Sequence, residues 1–223
     1  MELILKIILK ILLMKIGIIG SGNVGGNLGK HWAKAGHEVL FSSRHPNELT
    51  NLAHVAGKNA KVVSVTDAFK AHADVYLLAT PFKAINKISE LYAGEYDNKL
   101  IIDATNPYPD RDGDIAQEVI DANFNATEYT AMKFSTAKTI KAFNTIKAED
   151  LRDKAFRDYE KLAIPFAAQD EESKAIGNKL IEDIGFDAYY IGNLSDSNIM
   201  DPDQSIYGKS MEIGRLKELV SRT

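Results

Sequence analysis

Between Gly20 and Gly25 the chain reads Gly20-Ser21-Gly22-Asn23-Val24-Gly25, the spacing G-x-G-x-x-G. Residues of these types at this spacing can hold a phosphate group. The first glycine allows a tight turn, the second lets the backbone approach an anion closely, and the third lets a following helix pack on the preceding strand. The open N–H groups of that helix's first turn, with its dipole behind them, complete the anion site. Glycine turns are common, so the motif acquires meaning only from its flanks. Here Lys15–Ile19 is a short apolar β run, Asn23–Ala35 has helical spacing and stops at Gly36, and His37–Arg44 returns as a strand. Strand, glycine turn, helix and second strand over Met14–Arg44 make the unit that binds the pyrophosphate of a dinucleotide.

The end of the second strand selects the dinucleotide. An NAD site places Asp or Glu about 20 residues beyond the turn to accept from the ribose 2′-OH. This chain has Phe41-Ser42-Ser43-Arg44-His45 there, with Glu38 and Glu48 only flanking it. Two hydroxyls and a planar, permanently charged guanidinium suit a 2′-phosphate, so Ser42, Ser43 and Arg44 point to NADP.

Further strands follow at the spacing of an open α/β sheet. Lys61–Val65, Asp74–Thr80 and Lys99–Thr105 read as strands, the last two nearly continuous apolar runs of the kind buried on both faces. Helices are expected up to Ala56, after an N-cap at Thr66, over Ala84–Leu91 and over Gly113–Ala122. In the second half Thr139–Phe143, Lys161–Ala168 and Asp187–Ile191 read as strands, with helices over Asp170–Ile184 and in Met211–Val220. Residues 146–159 are charged and read as irregular. The alternation predicts a three-layer α/β/α, Rossmann-type doubly wound fold, its mostly parallel sheet extended by C-terminal strands. Residues 14–223 are expected to form a single NADP-binding domain.

Ligands of such sheets bind beyond the carboxyl ends of the strands. Those ends are Gly20–Val24, Ser42–Arg44, Thr80-Pro81-Phe82, Thr105-Asn106-Pro107 and Ala142-Phe143-Asn144. The last three groups should converge at the nicotinamide, with Phe82 against the cofactor and Asn106 and Asn144 bonding a carboxamide or a substrate carbonyl. Thr-Pro, Asn-Pro and Asn-Thr also favour strand exits on local grounds, so both roles stay open. Asp103, within an apolar strand, needs a partner if buried and reads as structural. Lys133, Lys138 and Lys141 lie close enough to donate, although solvated lysines are commoner.

Composition removes other classes. The 223 residues are 45% hydrophobic with a net charge of −4, which suits a globular core and offers no field for nucleic acid. There is no cysteine, hence no disulfide, thiolate ligand or cysteine nucleophile. His31, His37, His45, His54 and His72 lack metal-binding spacing, no Walker A or G-x-S-x-G is present, and no Tyr-x-x-x-Lys pair stands out as a convincing proton donor. No metal and no catalytic side chain is assigned. Hydride transfer between two bound partners needs alignment more than a side-chain acid.

The stretch MELILKIILKILL before Met14 falls outside the pattern. It is shorter than the roughly 20 apolar residues of a membrane span, and it lacks a basic start and a cleavage site. Residues 1–13 are read as an extension ahead of a start at Met14, with a peripheral membrane anchor as the alternative. The protein is expected in the cytoplasm.

MKIGIIGSGNVG, FSSRHP, LIIDATNPYP, TIKAFNTI and EESKAIGNKLIEDIGFDAYYIGNL, in this order over residues 14–195, resemble the NADPH-dependent coenzyme F420 reductases. They are equally similar to the related cytosolic oxidoreductase domain of the STEAP metalloreductases. The resemblance implies a Rossmann domain in which NADP(H) lies across the sheet and a flavin or deazaflavin stacks on its nicotinamide. It implies that Ser21, Asn23 and Val24 contact the pyrophosphate and that Ser43 and Arg44 hold the 2′-phosphate. Thr80, Pro81, Phe82, Ala142 and Asn144 would line the nicotinamide end. Beyond residue 195 the segment SDSNIMDPDQSIYGKSM departs from the family, which leaves the acceptor open among coenzyme F420, FMN, FAD and a quinone. The tail is too short for the helical dimerisation domain of the pyrroline-5-carboxylate reductases, and a homodimer is common among folds of this kind.

Two functions follow. The first is an oxidoreductase moving a hydride between NADP(H) and a flavin-like or deazaflavin acceptor. The second is an NADP(H)-binding redox sensor or partner-binding module without turnover. An open apolar cleft bordered by Phe82, Asn106 and Asn144 favours the enzyme, and a site plugged by residues 196–210 favours the sensor.

Overall fold

The computed structural model describes residues 13–122 and 124–222. The apolar stretch over 1–12, read above as an extension or an anchor, lies outside the described residues. The strands are β1 (Lys15–Ile19), β2 (Glu38–Ser43), β3 (Ala60–Ser64), β4 (Val75–Leu78), β5 (Leu100–Asp103), β6 (Lys138–Ala142), β7 (Ala163–Ala168) and β8 (Asp187–Gly192). They form one sheet in the order β3-β2-β1-β4-β5-β6-β7-β8. Every pair from β3 through β6 is parallel. The order reverses between β1 and β4, which opens the crevice where dinucleotides bind in doubly wound sheets. The fold is the expected Rossmann-type α/β architecture.

The added strands do not simply continue the pattern. β7 is antiparallel to β6, with Ala142 opposite Phe166, whereas β8 is parallel to β7. β7 therefore starts at the edge where β6 ends, and no crossover helix is required. The connection carries one short helix over residues 148–153.

Helices cover both faces. On one lie α1 (Asn23–Ala35), α2 (Thr50–Ala56), α8 (Ala148–Asp153) and α9 (Glu171–Glu182). Trp32, Phe143, Leu151, Leu180 and Ile184 fill this core. On the other lie α3 (Val65–Lys70), α4 (Ile85–Leu91), α6 (Asp114–Asp121) and α7 (Ala126–Lys133), packed through Phe69, Phe82, Ile85, Val119 and Phe134. One-turn α5 (Pro109–Asp112) precedes α6. A smaller cluster of Met200, Ile206, Met211 and Leu216 packs on Ala163 of β7. It unites the 3-10 segment Leu194–Met200 with α10 (Ile213–Val220). Ala163 alternates with Ile164 and Phe166, which belong to the α1 face, so this cluster lies on the opposite one.

Three local readings change. The N-cap of α3 is Ser64, not Thr66: its Oγ accepts from Asp67 N at 3.0 Å and donates to Asp67 Oδ2 at 2.7 Å. The Ser-x-x-Asp spacing captures the helix two residues earlier. Residues 146–159 are not irregular throughout, because α8 forms there. Its buried Leu151 rests on α1, where Asn27 Nδ2 donates to Ala148 O and His31 Nε2 donates to Leu151 O. The unexpected α7 starts from Asn125, whose Oδ1 accepts from Thr127 N and Glu128 N.

Candidate active site

The turn after β1 fits a pyrophosphate. Gly20 has φ +99°, and a Cβ there would lie 2.6 Å from Ala79 O. A Cβ on Gly25 would lie 2.3 Å from Gly20 O, so the helix can sit this close to the turn only with glycine. At Gly22 a Cβ would meet nothing within 4 Å. Substituents there point into open space, where a ligand would approach. Helix α1 begins with no side-chain cap and no acid in its first turn. Thirteen residues of helix dipole are left facing that space through Gly22, Asn23 and Val24.

Ser21 is not turned outward. Its N and its Oγ both donate to Ser42 O, at 3.2 and 3.0 Å. Ser42 is fully buried and its Oγ donates to Ile18 O at 2.7 Å. Both serines lace the turn to β2, which corrects the expectation that Ser42 reaches a 2′-phosphate. Ser43 is half-buried and its Oγ accepts from His45 N. Arg44 is exposed, and among the described residues its guanidinium makes no hydrogen bond or ion pair. Glu38, at the opposite end of β2, pairs with Lys15 and Lys61.

At the far end of the crevice the structure rearranges the expected cluster. Pro81 is exposed, but Phe82 is fully buried against Tyr129, and Ala142 is buried as well. Phe82 is thus part of the core and not a wall for a ring. Asn106 and Asn144 bond each other: Asn144 Nδ2 donates to Asn106 Oδ1, and Asn106 Nδ2 donates to Asn144 O, both at 3.0 Å. Asn144 Nδ2 also donates to Met200 O at 2.7 Å. Phe143, at φ +66°, turns the chain between β6 and Asn144. A bulky residue in the left-handed region stores strain of the kind found at functional sites.

Sequence reasoning missed the polar frame beneath these residues. Lys141 is fully buried rather than solvated; its Nζ donates to Thr105 O at 2.6 Å and meets Asp103 Oδ2 at 3.2 Å. Asp103 Oδ1 accepts from Thr105 N and Oγ1. Beside it, Arg111 donates to Asn106 O and to the buried Asp112. Burial alone would raise the Asp112 carboxyl, but hydrogen bonds from Arg111, Tyr108 N and Lys83 N outweigh it and hold the group below its ordinary range. The D-x-T and R-D pairs of the sequence carried these frames without showing which neighbours they serve.

A cavity of about 640 Å³ opens beyond Pro107 and Tyr108. Val119, Ile120 and Phe124 supply its apolar side, and Asn198, Asp201, Gln204 and Tyr207 its polar side. Phe82, Asn106 and Asn144 do not line it, Asn144 being covered by Met200, and residues 195–207 form one of its walls. The Tyr108 and Tyr207 hydroxyls touch across it. Its size suits a small organic molecule. Four polar atoms around it and the adjoining strand ends are buried without a partner among the described residues: Thr80 Oγ1, Asn144 Oδ1, Asp201 Oδ1 and Ser205 Oγ. Burial pushes the Asp201 carboxyl up to about 6, with Lys141 opposing the shift and Asp103 adding to it.

Among the described residues no helix is long and apolar enough to cross a membrane, and no group of three or more His, Asp or Glu could hold a metal ion.

Known proteins agree with this geometry. Residues 15–107 match the family described as NADP oxidoreductase, coenzyme F420-dependent. The F420-dependent NADP reductase of Methanothermobacter thermautotrophicus is 30% identical over 155 residues, covering 64% of this chain and 66% of that protein. The chain thus spans just under two thirds of that relative's length. Among solved structures, the hypothetical protein SMa0349 of Sinorhizobium meliloti superposes with a TM-score of 0.77 at 23% identity, over 89% of this chain and 95% of its own. A protein from Arthrobacter sp. FB24, proposed as an F420-dependent NADP reductase, gives 0.63 at 21% identity, over 82% and 87%. At these identities the structural likenesses speak for the fold. The likeness to the coenzyme F420-dependent NADP oxidoreductase family thus lies over the phosphate-binding portion of the chain, residues 15–107.

Proposed function

We propose that this protein is an NADP-dependent oxidoreductase that moves a hydride between NADP(H) and a small organic acceptor seated in the cavity beyond Tyr108. One observation carries the reading: the cavity is lined by Pro107 and Tyr108, just beyond the carboxyl end of β5, and the cradle follows the carboxyl end of the parallel β1, so both lie on the side of the sheet along which a dinucleotide would run. Gly22, Asn23 and Val24 would hold the pyrophosphate, and Arg44, joined by Ser43, the 2′-phosphate. Thr80 Oγ1 and Asn144 Oδ1, both buried without partners, would receive the donors of the carboxamide. When bound, NADPH supplies the hydride. The chain's own residues orient it, and the wall over residues 195–207 limits access of water. Coenzyme F420 leads the acceptors because of the family match, with FMN, FAD and a quinone behind it.

The test is anaerobic NADPH oxidation, followed at the nicotinamide absorbance, against a panel of coenzyme F420, FMN, FAD, a soluble quinone, simple ketones and cyclic imines. Turnover with one of them, and little with NADH as donor, is expected. Tight NADPH binding with no turnover on any would favour the redox-sensor reading instead.

A further inference from the structure

We propose that Asp201 is a catalytic acid that hands a proton to the acceptor, so that the cavity serves acceptors that gain a hydride and a proton in one turnover. The assignment rests on the oxidoreductase reading above and adds to it a residue and a substrate class. Asp201 lines the cavity, and its position is fixed: it follows Met200, whose carbonyl is held by Asn144 Nδ2 just beyond β6. Of the three carboxyls in the cavity wall, Asp201, Asp203 and Glu128, only Asp201 has an oxygen that is both buried and unpartnered.

The groups facing Asp201 narrow the choice. From the sheet come Lys141 and Asp103, which are committed to each other and to Thr105. Across the cavity stands Tyr108, from the loop after β5, whose hydroxyl is taken by Tyr207. Burial, then Tyr108, drive the Tyr207 hydroxyl above its ordinary value, so it is a poor donor near neutrality. None of the five histidines reaches the wall. Asp201 alone combines a free oxygen with a carboxyl that still carries its proton up to about pH 6. No Lys, Arg or His lines the cavity, so the part of the acceptor that enters is neutral or cationic.

The acceptor carbon gains the hydride with its electron pair while NADPH is oxidised to NADP⁺. The O–H bond of Asp201 breaks, and its proton goes to the acceptor's carbonyl oxygen or its ring or imine nitrogen. The remaining carboxylate takes a proton from water at the cavity mouth. In the reverse direction the carboxylate removes that proton.

The experiment uses the full chain and whichever acceptor the panel identifies, with kcat measured between about pH 5 and about pH 8. Wild type is expected to slow as pH rises through about 6. Asp201→Asn should lower kcat by about 100-fold and abolish that inflection, while the dissociation constant for NADPH stays unchanged. Asp201→Glu should recover part of the rate with the inflection restored at a shifted pH. An inflection that persists in Asp201→Asn overturns the assignment while leaving the oxidoreductase reading intact. Loss of NADPH binding in Asp201→Asn overturns it too, because the role is then structural. No turnover by wild type on any acceptor defeats the reading on which it rests, and the assignment with it.

Discussion

Arg44 tests the choice of dinucleotide at the scale of one side chain. Its guanidinium is exposed and unpaired among the described residues, and the nearest strand acid, Glu38, is engaged at the far end of β2. Arg44→Ala should weaken NADPH binding by about 2 kcal/mol and NADH binding hardly at all, as isothermal titration would show. Equal losses would mean that the 2′-phosphate is read elsewhere. Lys141 makes a second case. Lys141→Met strands Asp103 in the interior and should cost about 3 kcal/mol by urea denaturation, whereas adding Asp103→Leu should recover most of it. Asp103 announced its need for a partner in the sequence, as a charge inside LIIDAT. Lys141 did not, because only the β5–β6 register sets the two opposite each other. The same distance in sequence hid the Asn106–Asn144 pair and the burial of Phe82, whose roles as strand exits were visible and whose neighbours were not.

Elements were legible where a local signal was strong. The glycine turn with its helix, the buried strands β4 and β5, and the end of α9 shortly before Gly185 (φ +82°) follow from period and punctuation alone. The failures are short helices stabilised from outside. α8 buries one leucine, too few for a period, and depends on Asn27 and His31 of α1. α7 has a weak apolar stripe, although the Asn125-x-x-Glu128 spacing ahead of it was a usable capping signal. Asn125 has a further duty. Its Nδ2 donates to Leu194 O, and its Oδ1 also accepts from Ser197 Oγ. It therefore ties α7 to the segment that walls the cavity. Asn125→Ala should cost about 1–2 kcal/mol of stability and should raise the acceptor KM more than the NADPH KM. Steady-state kinetics with either substrate varied would separate the two. A loss of stability with both KM values unchanged would confine Asn125 to capping.

For the molecule as a whole, titration is the sharpest probe, because two buried groups pull in opposite directions. His37 Nδ1 accepts from Met14 N and its Nε2 donates to Asp183. Burial lowers its pKa despite Asp183, so the folded state resists protonation. That contribution is intact above the unfolded value of about 6.5 and is lost as pH falls through it. Asp201 behaves inversely. Its raised pKa means that the folded state binds a proton the unfolded chain releases, and stability falls as pH rises from about 4 to about 6. Asp201→Asn should therefore raise stability near pH 7.5 by roughly 1–2 kcal/mol, with the gain vanishing near pH 4. Thermal melts at the two pH values would check both signs. A residue that costs stability at neutrality yet borders the cavity fits a trade of stability for activity.

Trp32 is the chain's only tryptophan, and its indole N–H donates to Leu180 O at 2.9 Å. His37, five residues on, reaches Asp183 of the same late segment. During synthesis, α1 emerges long before α9, and at about 5–20 residues per second the interval is of order 10–30 s. Throughout that time the large indole on α1 has no lid, and the nascent half-sheet shows a greasy face to chaperones. The same geometry turns the tryptophan into a built-in clock. Its fluorescence reports the arrival of the C-terminal third, so in refolding it should change after far-UV ellipticity has already recovered.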